Sequence, residues 1–144
     1  MQIQKVSLEK VIPLRHKILR KGRPLETCYF VDDNLEGTFH LAAIQKDKII
    51  GIATFIPKEL KDFSGKHMQL RGMAVDESAQ QKGVGKQIMH YAFELLSTEG
   101  FDLLWCNARE TAANFYRKLA FKQLGESFDI PSVGIHFKMC KQLK

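Results

Sequence analysis

Three cysteines in 144 residues, Cys28, Cys106 and Cys140, are too few and too widely spaced for a disulfide framework. With no C-x-x-C pair and no zinc-ligand spacing among them, redox-motif and structural-metal classes drop out. Reduced, mostly buried thiols are expected, and no metal. Long apolar runs are also missing: none approaches the roughly 20 residues that a membrane span needs. The opening stretch MQIQKVSLEKVIPLRHKILRKG contains no uninterrupted apolar segment of the kind a secretory signal carries. Together these absences predict a cytoplasmic chain with no membrane partner. Repeats, low-complexity segments and linkers are absent as well, so one domain spanning residues 1–144 is expected. A chain of this size buries roughly 68% of its unfolded surface.

Acidic residues are outnumbered, 16 against 22 lysines and arginines, for a net charge of +6 and a pI near 9.3. Much of that excess lies in RHKILRKGR, from Arg15 to Arg23, which is open to three readings: a nucleic-acid patch, the rim of a phosphate-ligand site, or a solvated helix face. No aromatic-interleaved RNA-binding signature or zinc-finger spacing accompanies it, which argues against a nucleic-acid partner.

Periodicity supplies the elements. Leu8, Val11, Ile12, Leu14, Ile18 and Leu19 follow a helical spacing over residues 7–20, with Ser7 as the N-cap and Pro13 as a kink or late start. A stretch rich in turn formers follows and reads as loop with a short helix. FHLAAIQ and KIIGIATFIP are β-rich runs separated by Lys-Asp, a hairpin, and HMQLRGMAV (67–75) is the next strand. From Val84 the residues Ile88, Tyr91, Ala92, Leu95 and Leu96 mark an amphipathic helix that stops at Gly100. LLWCNA is a short strand, Thr111 a cap for the helix TAANFYRKLAF, and KQLGESFDI with VGIHFKMCKQL a final strand pair. The order is β/α, hairpin, strand, helix, strand, helix, two strands: an α/β (α+β) mixed sheet of six to seven strands with helices on its faces.

Gly83 and Gly85, in AQQKGVGKQIM, stand where strand 67–75 hands over to helix 84–99. Glycines there leave successive backbone N–H groups unobstructed, and the helix dipole adds positive charge: an anion nest suited to a phosphate or diphosphate, with Lys82 and Lys86 at its rim. A P-loop would need glycine at position 80 and Ser or Thr at 87, and both are Gln; a dinucleotide fingerprint would need glycine at 88, and it is Ile. A tight strand-to-helix turn with no ligand is the remaining reading of the glycines alone.

Gln80-x-x-Gly83-x-Gly85, after LRGMAVDES and before a long amphipathic helix, resembles motif A (Q/R-x-x-G-x-G/A) of the Gcn5-related N-acetyltransferases, the GNAT superfamily. TAANFYRKLAFKQLGE resembles their following segment, with Ala120 where a glycine is usual. The likeness covers residues 40–144 well and the first forty in outline. It implies a transferase, an acyltransferase using acetyl-CoA, bound at the splay between the motif A strand and the next one. By this resemblance Met73, Ala74 and Val75 hold pantetheine through main-chain groups, with Gly72 marking a bulge, and Gln80, Gln81, Lys82, Gly83, Val84, Gly85 and Lys86 hold the phosphates. Asn107 and Arg109 are cofactor candidates near the position where members carry a pantetheine-binding Asn. Members often form dimers, so a homodimer is an expectation with no interface identified.

Acetyl transfer from a thioester needs a neutral amine, an oxyanion stabiliser and support for the departing thiolate. Tyr116 matches the tyrosine that members place near the CoA sulfur, and a backbone N–H near Val75 is the oxyanion candidate. The glutamate that some members carry eleven residues before Gln80 is here Gln69. His136, His40, Glu26 and Asp76 are the remaining candidate bases. Without a strong base an α-amine of pKa about 7.8, about 14% neutral at pH 7, is favoured over an alkylamine of pKa about 10.4, about 0.04% neutral. The acceptor pocket is expected between residues 15–40 and the DIPSVGIHF turn. A non-catalytic acyl-CoA sensor and a basic nucleic-acid module are the alternative functions.

Overall fold

Lys46 and Asp47, both at positive φ (50° and 63°), form the two-residue turn that the right-handed twist of a hairpin favours. They join β2 (Phe39–Gln45) to β3 (Lys48–Pro57), paired antiparallel from Phe39↔Phe55 to Gln45↔Lys48. The computed structural model describes residues 1–143 and arranges them as a seven-stranded sheet in the order β1-β2-β3-β4-β5-β7-β6. The other strands are β1 (Gln2–Val6), β4 (His67–Val75), β5 (Leu103–Arg109), β6 (Lys122–Ile130) and β7 (Gly134–Gln142). β4 and β5 pair in parallel; every other neighbouring pair is antiparallel. The strand of the opening β/α unit is β1. The mixed sheet and flanking helices expected from the element order are present.

The helix α2 (Val84–Thr98) covers one face, where Val84, Ile88, Met89, Ala92 and Leu96 bury against Leu41, Ala43, Phe55 and Leu70. On the other face α1 (Leu8–Leu14) sets Val11 and Leu14 against Ala42, Ile52 and Ala74. Side chains of adjacent strand residues point to opposite faces, so Ala42 serves one core and Leu41 and Ala43 the other. Among the described residues no helix is long and apolar enough to cross a membrane.

Three local expectations need correction. Ser7 occupies the N-cap of α1 in extended backbone, but its side chain makes no capping bond. The helical run 7–20 is not one α-helix: after Pro13, which lacks an N–H, it continues as a π-helical turn over Arg15–Leu19, closed by Arg20 N–H donating to the Arg15 carbonyl at 3.0 Å. Thr111 caps nothing; it lies inside a 3₁₀ turn, Glu110–Ala112, that precedes α3 (Ala113–Lys118).

Both principal helices end in the same double-bonded motif. At α2 the Phe101 N–H reaches the Leu96 carbonyl and the Gly100 N–H that of Ser97; at α3 the Phe121 N–H reaches Tyr116 and the Ala120 N–H reaches Arg117. This geometry needs a left-handed residue. Gly100 supplies it at φ 86°, whereas Ala120 is forced to φ 70°. An L-residue there costs roughly 1–2 kcal/mol, offset in part by glycine's larger unfolded-state entropy. Ala120→Gly is therefore expected to stabilise the protein by about 0.5–1 kcal/mol, measured as a higher midpoint in urea with an unchanged slope.

Candidate active site

The parallel ladder of β4 and β5 runs only from His67↔Leu103 to Leu70↔Cys106, although β4 continues to Val75 and β5 to Arg109. Beyond those four pairs the strands part. On its other edge β4 meets β3, where Ile52 and Thr54 stand opposite Ala74 and Arg71. β4 thus carries one extra residue, and Gly72, at φ 63°, absorbs it as a bulge. A Cβ at Gly72 would sit 3.1 Å from the Phe30 ring and 3.2 Å from Arg15 Nε. Both φ and space call for glycine here.

Past the bulge the ladder with β3 resumes, and Asp76 N–H donates to the Ile50 carbonyl at 2.8 Å. By the alternation of an antiparallel pair, the main-chain groups of Ala74 face β3, while those of Val75 face the open splay. One of them is already used: Gln80 Nε2 donates to the Val75 carbonyl at 3.0 Å, folding the loop back on the strand end.

The two loop glycines do different things. Gly83, exposed and at φ 81°, is the N-cap of α2; Gln81, at φ 63°, adds a second left-handed residue two positions earlier. The first helical bond is Gln87 N–H to the Gly83 carbonyl, so the N–H groups of Val84, Gly85 and Lys86 have no acceptor inside the helix. Gly85 has a packing role as well. It is buried, and a Cβ there would meet the Phe115 ring at 3.2 Å, so its missing side chain lets α2 pack against α3. Lys82 and Lys86 are exposed at the rim.

A cleft of about 540 Å³ opens at the splay. Its floor includes Gln69, Arg71, Gly72, Met73, Cys106 and Asn107; one wall comes from Leu19, Arg20, Arg23 and Phe30, the other from Tyr116, Ile130, Ser132, Val133 and His136. Arg109 and Lys58 also border it. Both segments expected to line an acceptor pocket, residues 15–40 and the DIPSVGIHF turn, contribute to these walls. Of the residues assigned from sequence, Met73, Asn107, Arg109 and Tyr116 line the cleft, whereas Ala74, Val75 and the loop Gln80–Lys86 do not.

Tyr116 is buried between Phe115 and Phe121, with ring centroids 5.0 and 5.2 Å away, and among the described residues its hydroxyl has no hydrogen-bond partner. Burial, reinforced by Cys106, raises its pKa well above 10, so the phenol keeps its proton. Burial likewise pushes the Cys106 thiol up to about 12, with a further push from Cys140.

The candidate bases separate by position. His136, only 5% exposed, lines the cleft, and its Nδ1 lies 2.8 Å from the Gly134 carbonyl. A carbonyl only accepts, so Nδ1 carries the proton and the neutral ring keeps its lone pair on Nε2. Glu26 is exposed in the 3₁₀ turn Leu25–Cys28, outside the cleft lining. Asp76 is bound by Lys17 Nζ at 2.6 Å and by Ser78, and the Lys17 bond above all holds its pKa well below the carboxylate range, which makes it a poor base. His40 shares a 2.7 Å hydrogen bond with Thr54 away from the cleft.

Thr54 belongs to a buried network that the linear spacing hid. Arg15, fully buried, donates to both oxygens of Asp33 (2.7 and 2.8 Å), to Thr54 Oγ1 (2.7 Å) and to the Cys28 carbonyl (2.9 Å). The Phe30 N–H also donates to Asp33. The guanidinium lies 3.9 Å from the Phe30 ring centre and so fixes that ring on the cleft wall. Arg15 therefore leaves the basic cluster Arg15–Arg23, which is no continuous charged face. Gln69, Arg71, Lys58 and Phe30 are cleft residues that the sequence reading did not single out as ligands, because pattern alone does not show which β4 side chains meet a loop forty residues upstream.

The splay, the bulge and the glycine loop can be set beside known proteins. Residues 9–121 match the model of the acetyltransferase (GNAT) family. The chain belongs to that family. Over its full length the acetyltransferase is 36% identical to the uncharacterised N-acetyltransferase YitI of Bacillus subtilis strain 168, covering 97% of that protein. Among solved structures, an aminoglycoside 6'-N-acetyltransferase complexed with coenzyme A superposes with a TM-score of 0.81 at 14% identity, covering 100% of this chain and 98% of that one. The ribosomal-protein-S18-alanine N-acetyltransferase of Escherichia coli gives 0.75 at 18% identity, covering 99% and 93%. The acetyltransferase is thus an enzyme of acyl transfer, and these neighbours share its fold.

Proposed function

We propose that the enzyme transfers an acetyl group from acetyl-CoA to the primary α-amine of a small molecule or peptide. The observation that carries the reading is the cleft at the β4–β5 splay, where Tyr116 and His136 stand on one wall beside an unpaired strand edge. The free N–H groups of Val84, Gly85 and Lys86, with Lys82 and Lys86 at the rim, suit the diphosphate. Pantetheine fits the open edge of β4, with Met73 and Asn107 in the cleft and the Val75 N–H directed to the splay. Ala74 contributes by packing, since its main-chain groups serve β3, and Gln80 and Gln81 by shaping the loop.

His136 Nε2 accepts the proton of the attacking amine, directly or through a water. The new C–N bond forms as the thioester carbonyl becomes an oxyanion held by main-chain N–H groups of the β4 edge. Collapse of that intermediate breaks the C–S bond, and the leaving thiolate takes a hydrogen bond from the Tyr116 hydroxyl. The products are the N-acetyl amine and CoA. An α-amine suits a site whose cleft-lining base is an imidazole: the S18-alanine neighbour acts, by its name, on an alanine, whereas the other acts, by its name, on an aminoglycoside.

Calorimetric titration with acetyl-CoA and desulfo-CoA, followed by thiol release with a panel of amines, tests the reading. Absence of coenzyme binding, or a strong preference for an alkylamine at pH 7, would overturn it. His136→Gln is expected to lower kcat at pH 7 by about 10²-fold, the usual scale of a positioned base. The deficit should shrink as pH rises and the free amine loses its proton in solution.

A further inference from the structure

Charge of one sign dominates the acceptor side of the cleft. Arg20, Arg23, Arg71 and Lys58 line it together with His136, and among the described lining residues there is no aspartate or glutamate. None of those four cations is ion-paired to a carboxylate; the nearest arginine that is, Arg15, sits fully buried behind Phe30. The cations are not needed for the diphosphate, which has Lys82, Lys86 and the start of α2. Arg109, a cofactor candidate, is left out of the count.

Arg71 is the best placed of them. Half-buried, its guanidinium lies 4.4 Å from the centre of the Phe30 ring, which leaves its planar fork of donors uncommitted to any protein acceptor. Burial, together with the like charges of Arg15 and Arg20, pushes its pKa down against the pull of Asp32 and Asp33, as expected where positive charge stands uncompensated. Two residues back on the same face of β4, Gln69 is only 5% exposed, lines the cleft, and has no side-chain hydrogen-bond partner among the described residues. Its amide atoms are not sealed from solvent, so they stand open to a ligand in the cleft. A planar guanidinium beside an unsatisfied amide matches the two oxygens of a carboxylate, or those of a phosphate, better than any other common group.

Resting on the acetyl-transfer reading above, we propose that the acceptor is an amine that also carries an acidic group, bound by Arg71 with Gln69 and flanked by Arg20 and Arg23. The same field repels polycationic amines, so the selectivity comes from rejection as well as attraction.

The test uses acceptors with an identical reacting amine: Gly-Glu, with two carboxylates; Gly-Gln-amide, with none; and Gly-Lys-amide, with a cation. Free glutamate and O-phosphoserine, against Gly-Glu, distinguish an amino acid, a phosphorylated amine and a peptide as the source of the acid. At saturating acetyl-CoA, kcat/KM for Gly-Glu is expected to exceed that for Gly-Gln-amide at least 30-fold, with Gly-Lys-amide lowest. Arg71→Gln should cut the preference at least tenfold through KM, Arg71→Lys should restore part of it, and the affinity for acetyl-CoA should stay within twofold. If Arg71→Gln does not fold, the double variant Arg20→Gln, Arg23→Gln takes its place.

Where turnover is slow, calorimetric binding of the three dipeptides to the CoA-loaded protein decides by the same ratio. Equal handling of the three, or a preference that survives the variants, overturns the proposal while leaving acetyl transfer intact. Failure of acetyl-CoA to bind overturns both.

Discussion

Replacing Asp33 with alanine is expected to destabilise the protein by about 3–5 kcal/mol, the cost of leaving a buried charge without its partner. Asp33 accepts both arms of the Arg15 guanidinium and the Phe30 N–H, and Arg15 has no exposed surface through which water could replace it. Its Nε is already without a partner, so the network has no spare acceptor. For a chain of this length the loss corresponds to a fall in Tm of roughly 10–15 °C. Replacing both partners by apolar residues of similar volume should recover most of it, because the penalty lies in the orphaned charge. A single variant that melts within 3 °C of the native protein, by roughly the same scale, would show that Arg15 finds other company.

The same network sets a pH dependence. Burial pushes the Asp33 carboxyl up, but the Arg15 and Phe30 hydrogen bonds and the Arg15 charge outweigh it and hold its pKa below the ordinary value. Its contribution is complete above the unfolded value of about 3.9 and is lost as pH falls through the folded one. His40 is shifted down by burial and by Arg15, so it stays neutral in the fold where the unfolded chain would take up a proton. That contribution is complete above about pH 6.5 and erodes as pH falls from there. Stability measured in urea is therefore expected to decline in two stages on acidification, the first absent in His40→Gln.

Tyr116→Phe is expected to lower kcat by about 10²-fold, close to 2.7 kcal/mol, with acetyl-CoA affinity unchanged within twofold. The substitution removes one oxygen and keeps the ring between Phe115 and Phe121, so packing and the coenzyme seat should survive. Against a thiol of pKa about 8.5, a phenol held well above 10 gives up its proton only at a cost of more than about 2 kcal/mol. In the proposed mechanism the hydroxyl is therefore a hydrogen-bond donor to the thiolate, which takes its proton from solvent. Because the phenol stays protonated, the rate should show no loss above pH 8 attributable to its ionisation. An undiminished kcat in the variant would remove Tyr116 from the chemistry.

Much of the frame was legible because its signals are local. β2, β3, β4 and α2 follow from alternating or 3.6-residue apolar spacing and from the Lys46-Asp47 turn. Gly83 announced the loop, since a left-handed N-cap is a backbone property that one residue type reveals. What stayed hidden depends on partners far along the chain. Nothing in RHKILRKGR marks Arg15 as the one arginine that turns inward, because its partner Asp33 lies 18 residues away and the π-helical turn that re-aims it has no composition signal. At Gly85 the sequence shows a loop glycine, and only the approach of Phe115 reveals that the missing side chain also serves packing. The two wall segments could be named from the sequence, but the charge they gather had to wait for the side chains that meet across the cleft.

Among the described residues, four ladder pairs stitch β1–β4 to β5–β7–β6 across the middle of the sheet. A ligand lying along the unzipped remainder would supply missing rungs, and so act as a mechanical clasp between two half-sheets. If the coenzyme lies there as proposed, it should slow amide exchange at Asn107–Arg109 more than at the distant edge strand β1.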